Sequence, residues 1–273
     1  MDKSEWEGGQ GETWAREWRR TDRSFMAVTE KLLERTRGSA FTDALDIGCG
    51  AGELSLAIAR GRPAAKVVGV DVSPPLVAAA RERGANLENV SFECADAASW
   101  SPEDAFAPQL LVSRHGVMFF ADPPAAFGNL ASIAQDDASL VFSCFRSPER
   151  NRFFADVAAL LPDAAQPADP AAPGPFAFAE RERIEAVLTG GGWDRIDVSA
   201  FDFPMVVGAG EDPIEDAVSY FCAIGSAARA IAAMADGERD RLQDGLRDIA
   251  RRNHVDGIVA MPAAGWIVSA RKA

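Results

Sequence analysis

The stretch Ala44-Leu45-Asp46-Ile47-Gly48-Cys49-Gly50-Ala51-Gly52-Glu53-Leu54-Ser55-Leu56 constrains the fold more than any other part of the chain. A short apolar run ends in three alternate glycines and passes directly into apolar-periodic, helix-forming residues, which reads as strand, tight turn and helix. Glycine serves such a turn because the backbone takes positive φ there, and because a Cβ would hold a ligand away from the bare chain. The helix that follows aims free N–H groups and the positive end of its dipole into the same space. Alone, the G-x-G-x-G pattern also fits an ordinary strand-to-helix turn, so its meaning depends on what comes next.

Two partners follow at suitable distances. Lys66-Val67-Val68-Gly69-Val70-Asp71 is an apolar run that ends in an acid, 19 residues beyond Gly52. A carboxylate at the tip of a second strand accepts both ribose hydroxyls of an adenosine, whereas a solvated strand-end aspartate is the plainer alternative. Ser73-Pro74-Pro75 then opens a helix. Residues 89–97 give a third strand that closes on Asp96 and Ala97. A carboxylate there accepts from an adenine amine, and the small alanine leaves room for the ring. Gln109 to Ser113 and Ser139 to Phe145 are the fourth and fifth strands, with a helix from about Pro124 to Ala134 between them. This alternation specifies a parallel α/β sheet with its ligands at the carboxyl ends of the strands.

Past Phe145 the alternation stops. Pro162, Pro167, Pro170, Pro173 and Pro175 punctuate an alanine-rich segment, expected to be a loop or lid. A helix is expected over 178–188, a strand over 196–207, two amphipathic helices over 213–253 and a last strand over 265–270. Ahead of the sheet, residues 11–36 read as one or two helices, with Trp14, Trp18, Phe25, Val28 and Leu32 on one face. Arg16, Arg19, Arg20 and Arg23 fall on another face, interleaved with Glu12, Glu17 and Asp22 as a solvated surface. The paired tryptophans suggest an N-terminal flap that closes over a ligand.

Composition narrows the class. With 273 residues and 48% apolar content the chain can bury a large core, and its formal charge of −13 argues against a nucleic-acid partner. The excess acid lies beyond residue 40, since residues 1–40 hold eight basic and eight acidic side chains. No run approaches the roughly 18 apolar residues of a membrane span, and the first ten residues are too polar for a signal peptide, so a cytoplasmic location is expected. Cys49, Cys94, Cys144 and Cys222 are widely spaced without a C-x-x-C pair, so neither a disulfide framework nor a metal site is expected.

Taken in order, Leu45-Asp46-Ile47-Gly48-Cys49-Gly50-Ala51-Gly52, Val70-Asp71 and Cys94-Ala95-Asp96-Ala97 resemble the class I S-adenosylmethionine-dependent methyltransferases. Residues 113–120, 140–146 and 265–271 are similar to a bacterial subgroup related to the small-molecule type 11/25 enzymes. The resemblance implies a Rossmann-like, seven-stranded, mostly parallel sheet with an antiparallel last strand, in a single domain over 1–273. Within it, 1–40 would be a helical flap, 41–146 the cofactor half, 147–182 and 208–255 cap segments, and 183–207 with 256–273 the rest of the sheet. It further implies that Gly48, Gly50 and Gly52 line the methionine part of S-adenosylmethionine. Asp71 would then hold the ribose and Asp96 with Ala97 the adenine, while Trp14, Asp46, Cys49, Val72 and Ser113 complete the cofactor site.

Two rivals stand beside this reading. A nicotinamide-dependent oxidoreductase would need glycine at position 53, where the chain has Glu53. A protein that binds the cofactor without methyl transfer is not excluded by sequence. For a transferase, in-line displacement requires alignment and exclusion of water, and a base only when the nucleophile arrives protonated. His115, directly after the fourth strand, is the candidate base or acceptor-orienting residue, with an ordinary imidazole pKa near 6.5; it stands where the subgroup would place an aromatic such as Phe, so filling an aromatic slot is the plainer alternative. Arg114 either binds an acceptor carboxylate or pairs with a nearby acid such as Asp122. The expected acceptor is a small molecule or short peptide, with O-methylation slightly favoured and S-adenosylhomocysteine as product, in a monomer or homodimer. Phe119 and Phe120 are expected to pack a helix on the sheet, Tyr220 to fill the core, and His254 to lie at the surface.

Overall fold

The computed structural model describes residues 3–102, 106–161, 172–231 and 234–273. Four short helices come first, α1 (Lys3–Glu7), α2 (Gly9–Arg16), α3 (Trp18–Ser24) and α4 (Met26–Thr36), where the sequence suggests one or two. Gly11 sets how closely α2 docks. A Cβ there would stand 2.2 Å from the Ser73 hydroxyl, so α2 lies almost directly on the chain that follows the second strand.

The alternation then runs as expected through β1 (Asp43–Ile47), α5 (Glu53–Gly61), β2 (Lys66–Asp71), α6 (Pro74–Gly84), β3 (Val90–Cys94), β4 (Leu110–Arg114), α7 (Pro123–Ile133) and β5 (Ser139–Phe145). Strands β1, β4 and β5 are buried almost throughout, as strands covered by helices on both faces must be. The rest comprises α8 (Arg152–Ala158), α9 (Arg181–Gly190), β6 (Trp193–Gly208), α10 (Pro213–Ala223), α11 (Ser226–Ile231), α12 (Asp236–Arg252), β7 (His254–Val255) and β8 (Ile258–Lys272). The sheet order is β3-β2-β1-β4-β5-β8-β6, with β8 antiparallel to both neighbours and the two-residue β7 paired to β8 as an eighth strand.

Several boundaries differ from expectation. The helix expected from 178 begins at Arg181, after turns over 172–178, and the two helices expected over 213–253 are three. The last strand starts at Ile258 rather than 265, because β8 and β6 overrun the parallel sheet as a paired arm. Within this arm Pro204 faces Pro262, beyond Gly265 where pairing to β5 ends, so no third strand draws on their missing N–H groups. Pro173 and Pro175 lie among the turns, whereas Pro162, Pro167 and Pro170 lie outside the described residues. Asn151, fully buried before α8, clasps β8: its Nδ2 donates to the Ala264 carbonyl at 3.0 Å and its Oδ1 accepts from the Ala264 N–H at 2.9 Å.

The arginines of α3 are not a solvated face throughout. Arg23 donates to Asp216 of α10 at 2.7 Å and to the Val207 carbonyl at 3.0 Å, and Arg20 pairs with the same carboxylate at 3.2 Å. The N-terminal helices are thereby tied to the end of β6 and to α10.

Candidate active site

At the carboxyl edge of the sheet lies a cavity of about 1020 Å³, lined by the last residues of four of its parallel strands, Ile47, Asp71, Arg114 and Phe145. Each strand delivers its terminal side chain to the same edge because all run in one direction. Trp6, Gln10, Trp14 and Trp18 of the first three helices line it as well, so the flap expected from the tryptophans does meet this space.

The glycine turn forms one end. Gly48, Gly50 and Gly52 adopt φ of 63°, 54° and 85°, the left-handed region that a side chain resists. A Cβ on Gly50 would meet nothing within 4 Å, so the bare backbone opens directly onto the cavity. Gly50 N–H and Ser73 N–H donate to the two oxygens of Asp71 at 2.8 and 2.9 Å, which fixes the carboxylate while leaving lone pairs for a further partner. Asp71 opens onto the cavity yet sits deep enough that loss of water raises its pKa. Asp46 is buried and accepts from Ser55 at 2.5 Å, and burial pushes its pKa up to about 7. Burial likewise pushes the Cys49 thiol upward. Asp96 accepts from the Ala98 N–H at 3.0 Å, and with Val72 and Ala97 it joins the same wall.

Two expected cofactor residues stand outside that wall. Gly52 caps α5, and a Cβ on it would collide with Phe92 at 2.9 Å, so its glycine serves helix-to-strand packing. Ser113 is buried, donates to the Ile47 carbonyl at 2.7 Å and accepts from the Gly116 N–H at 3.1 Å. It clips the exit of β4 to the exit of β1, where Gly48 and Gly116 are so close that a Cβ on either would meet the other at 2.9 Å.

The other end is aromatic. His115, at φ 64°, stacks on Phe145 with centroids 4.3 Å apart and takes the edge of Phe25 at 5.1 Å. Phe154 and Phe176 extend the cluster. The His115 Nδ1 faces the Ser143 hydroxyl at 3.4 Å, while Nε2 is buried without a partner among the described residues. Burial, with the Arg114 charge beside it, lowers the imidazole pKa to about 3, well below the ordinary value expected from sequence. The ring is therefore neutral across physiological pH and fills an aromatic slot while keeping one unsatisfied polar atom. Phe119 and Phe120 line the cavity rather than only packing a helix, and Phe119 takes the edge of Trp6 at 5.2 Å.

Arg114 pairs with neither an open site nor Asp122, which caps α7. Its Nη2 donates to Asp22 of α3 at 2.9 Å and its Nη1 to Thr29 at 3.0 Å. Asp22 also accepts from Arg83 at 2.8 Å, and Arg83 pairs with Glu53 at 2.6 Å beneath the Trp18 ring. Asp22, Phe25 and the Phe154–Phe176 pair were not legible as site residues. The one signal for them was the apolar face that carries Phe25. Tyr220 is core, His254 is exposed on β7, and Arg146 pairs with Asp202 outside the cavity wall. Among the described residues, no group of three or more His, Cys, Asp or Glu is arranged to hold a metal, and no helix is long and apolar enough to cross a membrane.

Comparison with known proteins agrees with this geometry. Residues 44–137 match a family model described as a methyltransferase domain. The chain is 38% identical over 105 residues to a trans-aconitate 2-methyltransferase of Methylobacterium radiotolerans, covering 37% of this chain and 38% of that protein. It is 30% identical over 103 residues to a malonyl-[acyl-carrier protein] O-methyltransferase of Acetivibrio thermocellus, covering 38% of this chain and 35% of that protein. The matched region thus spans less than two fifths of either relative. Over 90% of the chain the fold matches the YcgJ protein of Bacillus subtilis, with a TM-score of 0.56 at 17% identity and 98% of that chain covered. Phosphoethanolamine N-methyltransferase 2 of Haemonchus contortus, solved with S-adenosylhomocysteine, matches at a TM-score of 0.54 and 16% identity, over 95% of this chain and 56% of its own.

Proposed function

We propose, on the premise that residues 44–137 form a methyltransferase domain of the class I, S-adenosylmethionine-dependent kind, that this chain methylates a small-molecule acceptor, with oxygen favoured as the attacked atom. The observation that carries it is one cavity with two chemically different ends: a glycine turn with three acids at successive strand exits, and an aromatic wall around His115. At about 1020 Å³ the cavity lies at the upper end of the roughly 300–1,000 Å³ range of ligand pockets, which accords with a site shared by donor and acceptor. The word O-methyltransferase in one relative's name supports oxygen. A cytoplasmic location, no metal and a monomeric or homodimeric state belong to the same reading.

The residues present fit the cofactor. The open backbone at Gly50 admits the methionine chain beside Gly48, Cys49 and Asp46, Asp71 offers its remaining lone pairs to the ribose, and Asp96 with Val72 and Ala97 borders the adenine. When bound, the sulfonium supplies an activated methyl group. The chain's own contribution is to align an acceptor against it and keep water out, through the tryptophans of the first three helices and the phenylalanines around His115. His115 would orient the acceptor hydroxyl through Nε2 and take its proton as the oxygen is alkylated. A group with a pKa of about 3 suffices then, because a hydroxyl becomes strongly acidic as its oxygen gains the methyl.

Asp71→Ala tests the cofactor assignment. Titration calorimetry should show S-adenosylmethionine binding weakened by about 1.5–3 kcal/mol, the worth of lost charge-assisted hydrogen bonds. An unchanged dissociation constant would refute the ribose assignment.

A further inference from the structure

The charges in the cavity wall bear on what the acceptor is. Among the described residues, the wall carries Asp46, Asp71 and Asp96 at the donor end and Glu5, Asp22 and Asp122 elsewhere, against a single cation, Arg114. That cation is already committed. Its two terminal nitrogens reach Asp22 at 2.9 Å and Thr29 at 3.0 Å, and the Arg114 and Asp22 side chains are only 15% and 14% exposed. Asp22 is braced in turn by Arg83, whose guanidinium lies 3.7 Å from the Trp18 ring centroid and pairs with Glu53. A carboxylate entering this space would find Arg114 neutralised by an internal carboxylate and would otherwise meet acids and phenyl rings. Burying an unpaired charge against such a wall is costly.

We infer that the acceptor is an uncharged, flat, largely apolar molecule, and that Asp22 excludes carboxylate acceptors by holding Arg114 where a substrate carboxylate would pair. The wall around His115 is suited to such a molecule. Phe25, Phe145, Phe154 and Phe176 stand at 5.1–6.2 Å from one another in edge-on and tilted arrangements, the geometry in which aromatic rings attract. The inference rests on the methyl-transfer reading and narrows the acceptor of that same site. It also separates this chain from its relative named for trans-aconitate, a tricarboxylate.

Calorimetry on the full chain loaded with S-adenosylhomocysteine tests it, with three probes: 2-naphthol, 2-naphthoate of the same ring but bearing a carboxylate, and trans-aconitate. The expected result is that 2-naphthol binds at least about tenfold more tightly than 2-naphthoate, and that trans-aconitate gives no measurable heat. Equal or tighter binding of 2-naphthoate, detectable binding of trans-aconitate, or no binding of 2-naphthol overturns the inference and leaves methyl transfer standing. Failure to bind S-adenosylhomocysteine at all overturns the underlying reading, and this inference with it. Asp22→Asn should tighten 2-naphthoate by about fivefold and alter 2-naphthol by less than about twofold. An unchanged ratio in that variant, with S-adenosylhomocysteine affinity intact, overturns the role given to Asp22. Arg114→Gln supplies an arm that does not depend on the folding of Asp22→Asn. It leaves Asp22 paired with Arg83 but removes the only cation in the described wall, so it should not tighten 2-naphthoate relative to 2-naphthol, and a tightening would overturn the inference.

Discussion

His115 shows how burial decides what a residue can do. An exposed imidazole titrates near neutrality, but this ring is stacked, enclosed and next to Arg114, so it is neutral over the working range. His115→Phe keeps the stack and removes Nε2. It should lower kcat/KM by about a hundredfold, the low end for general-base or orienting contacts, with S-adenosylmethionine affinity unchanged. In the unaltered protein the profile of kcat/KM should carry no limb between pH 5 and 8 from this histidine, which a residue with a pKa near 6.5 would produce. Asp46 carries the opposite shift. Its folded pKa of about 7 lies above the ordinary aspartate value of about 3.9, so the folded state holds its proton longer than the unfolded chain does. Stability from this group is full below about pH 4 and is lost as pH rises toward 7, by an amount on the order of 4 kcal/mol if the whole shift is expressed. Asp46→Asn removes the titrating group, and urea denaturation across that interval should be flatter for the variant. The acids at strand tips were legible because a strand's end and its next turn are set within a few residues. The Asp22–Arg114 pair was not, since its members are 92 positions apart and belong to elements that meet only when the flap docks.

Among the elements, the parallel half of the sheet could be read with boundaries close to those observed, because apolar runs bounded by glycine and acid leave few alternatives. The second half was legible in kind but not in extent. Pro262 falls before the strand expected from 265, and only the pairing of β6 with β8 beyond the end of β5 gives it a place where its missing N–H is no liability. The early end of β5 also makes Asn151 necessary, since the Ala264 N–H would otherwise be buried without a partner, whereas its carbonyl also accepts from the Arg146 N–H at 3.0 Å. Asn151→Ala should therefore destabilise the fold by about 2–4 kcal/mol in urea denaturation, several hydrogen bonds being lost in a buried site. A change near zero would mean that water replaces the amide. Two of the four short helices dock on distant elements: α2 meets Ser73 through Gly11, and α3 meets Asp216 through two arginines.

At the scale of the whole molecule, the cavity draws on the chain from Glu5 to Gly225, so the donor end and the acceptor end depend on segments far apart in sequence. The donor end was legible because it lies within one run of about 55 residues that carries its own pattern. The acceptor end was not, because it assembles single aromatics from the flap, the fourth and fifth strand exits and the turns near Phe176. The two ends of the described chain consequently have different practical value. Lys3 begins the helices that roof the cavity, whereas β8 runs antiparallel and brings Arg271 opposite Ser139, at the edge of the sheet remote from the ligand space. An affinity tag or surface tether joined ahead of the first helix hangs from helices that line the cavity. The same attachment placed after Ala273 lies at the far edge of the sheet, away from the cavity, and is the better handle for immobilised binding assays.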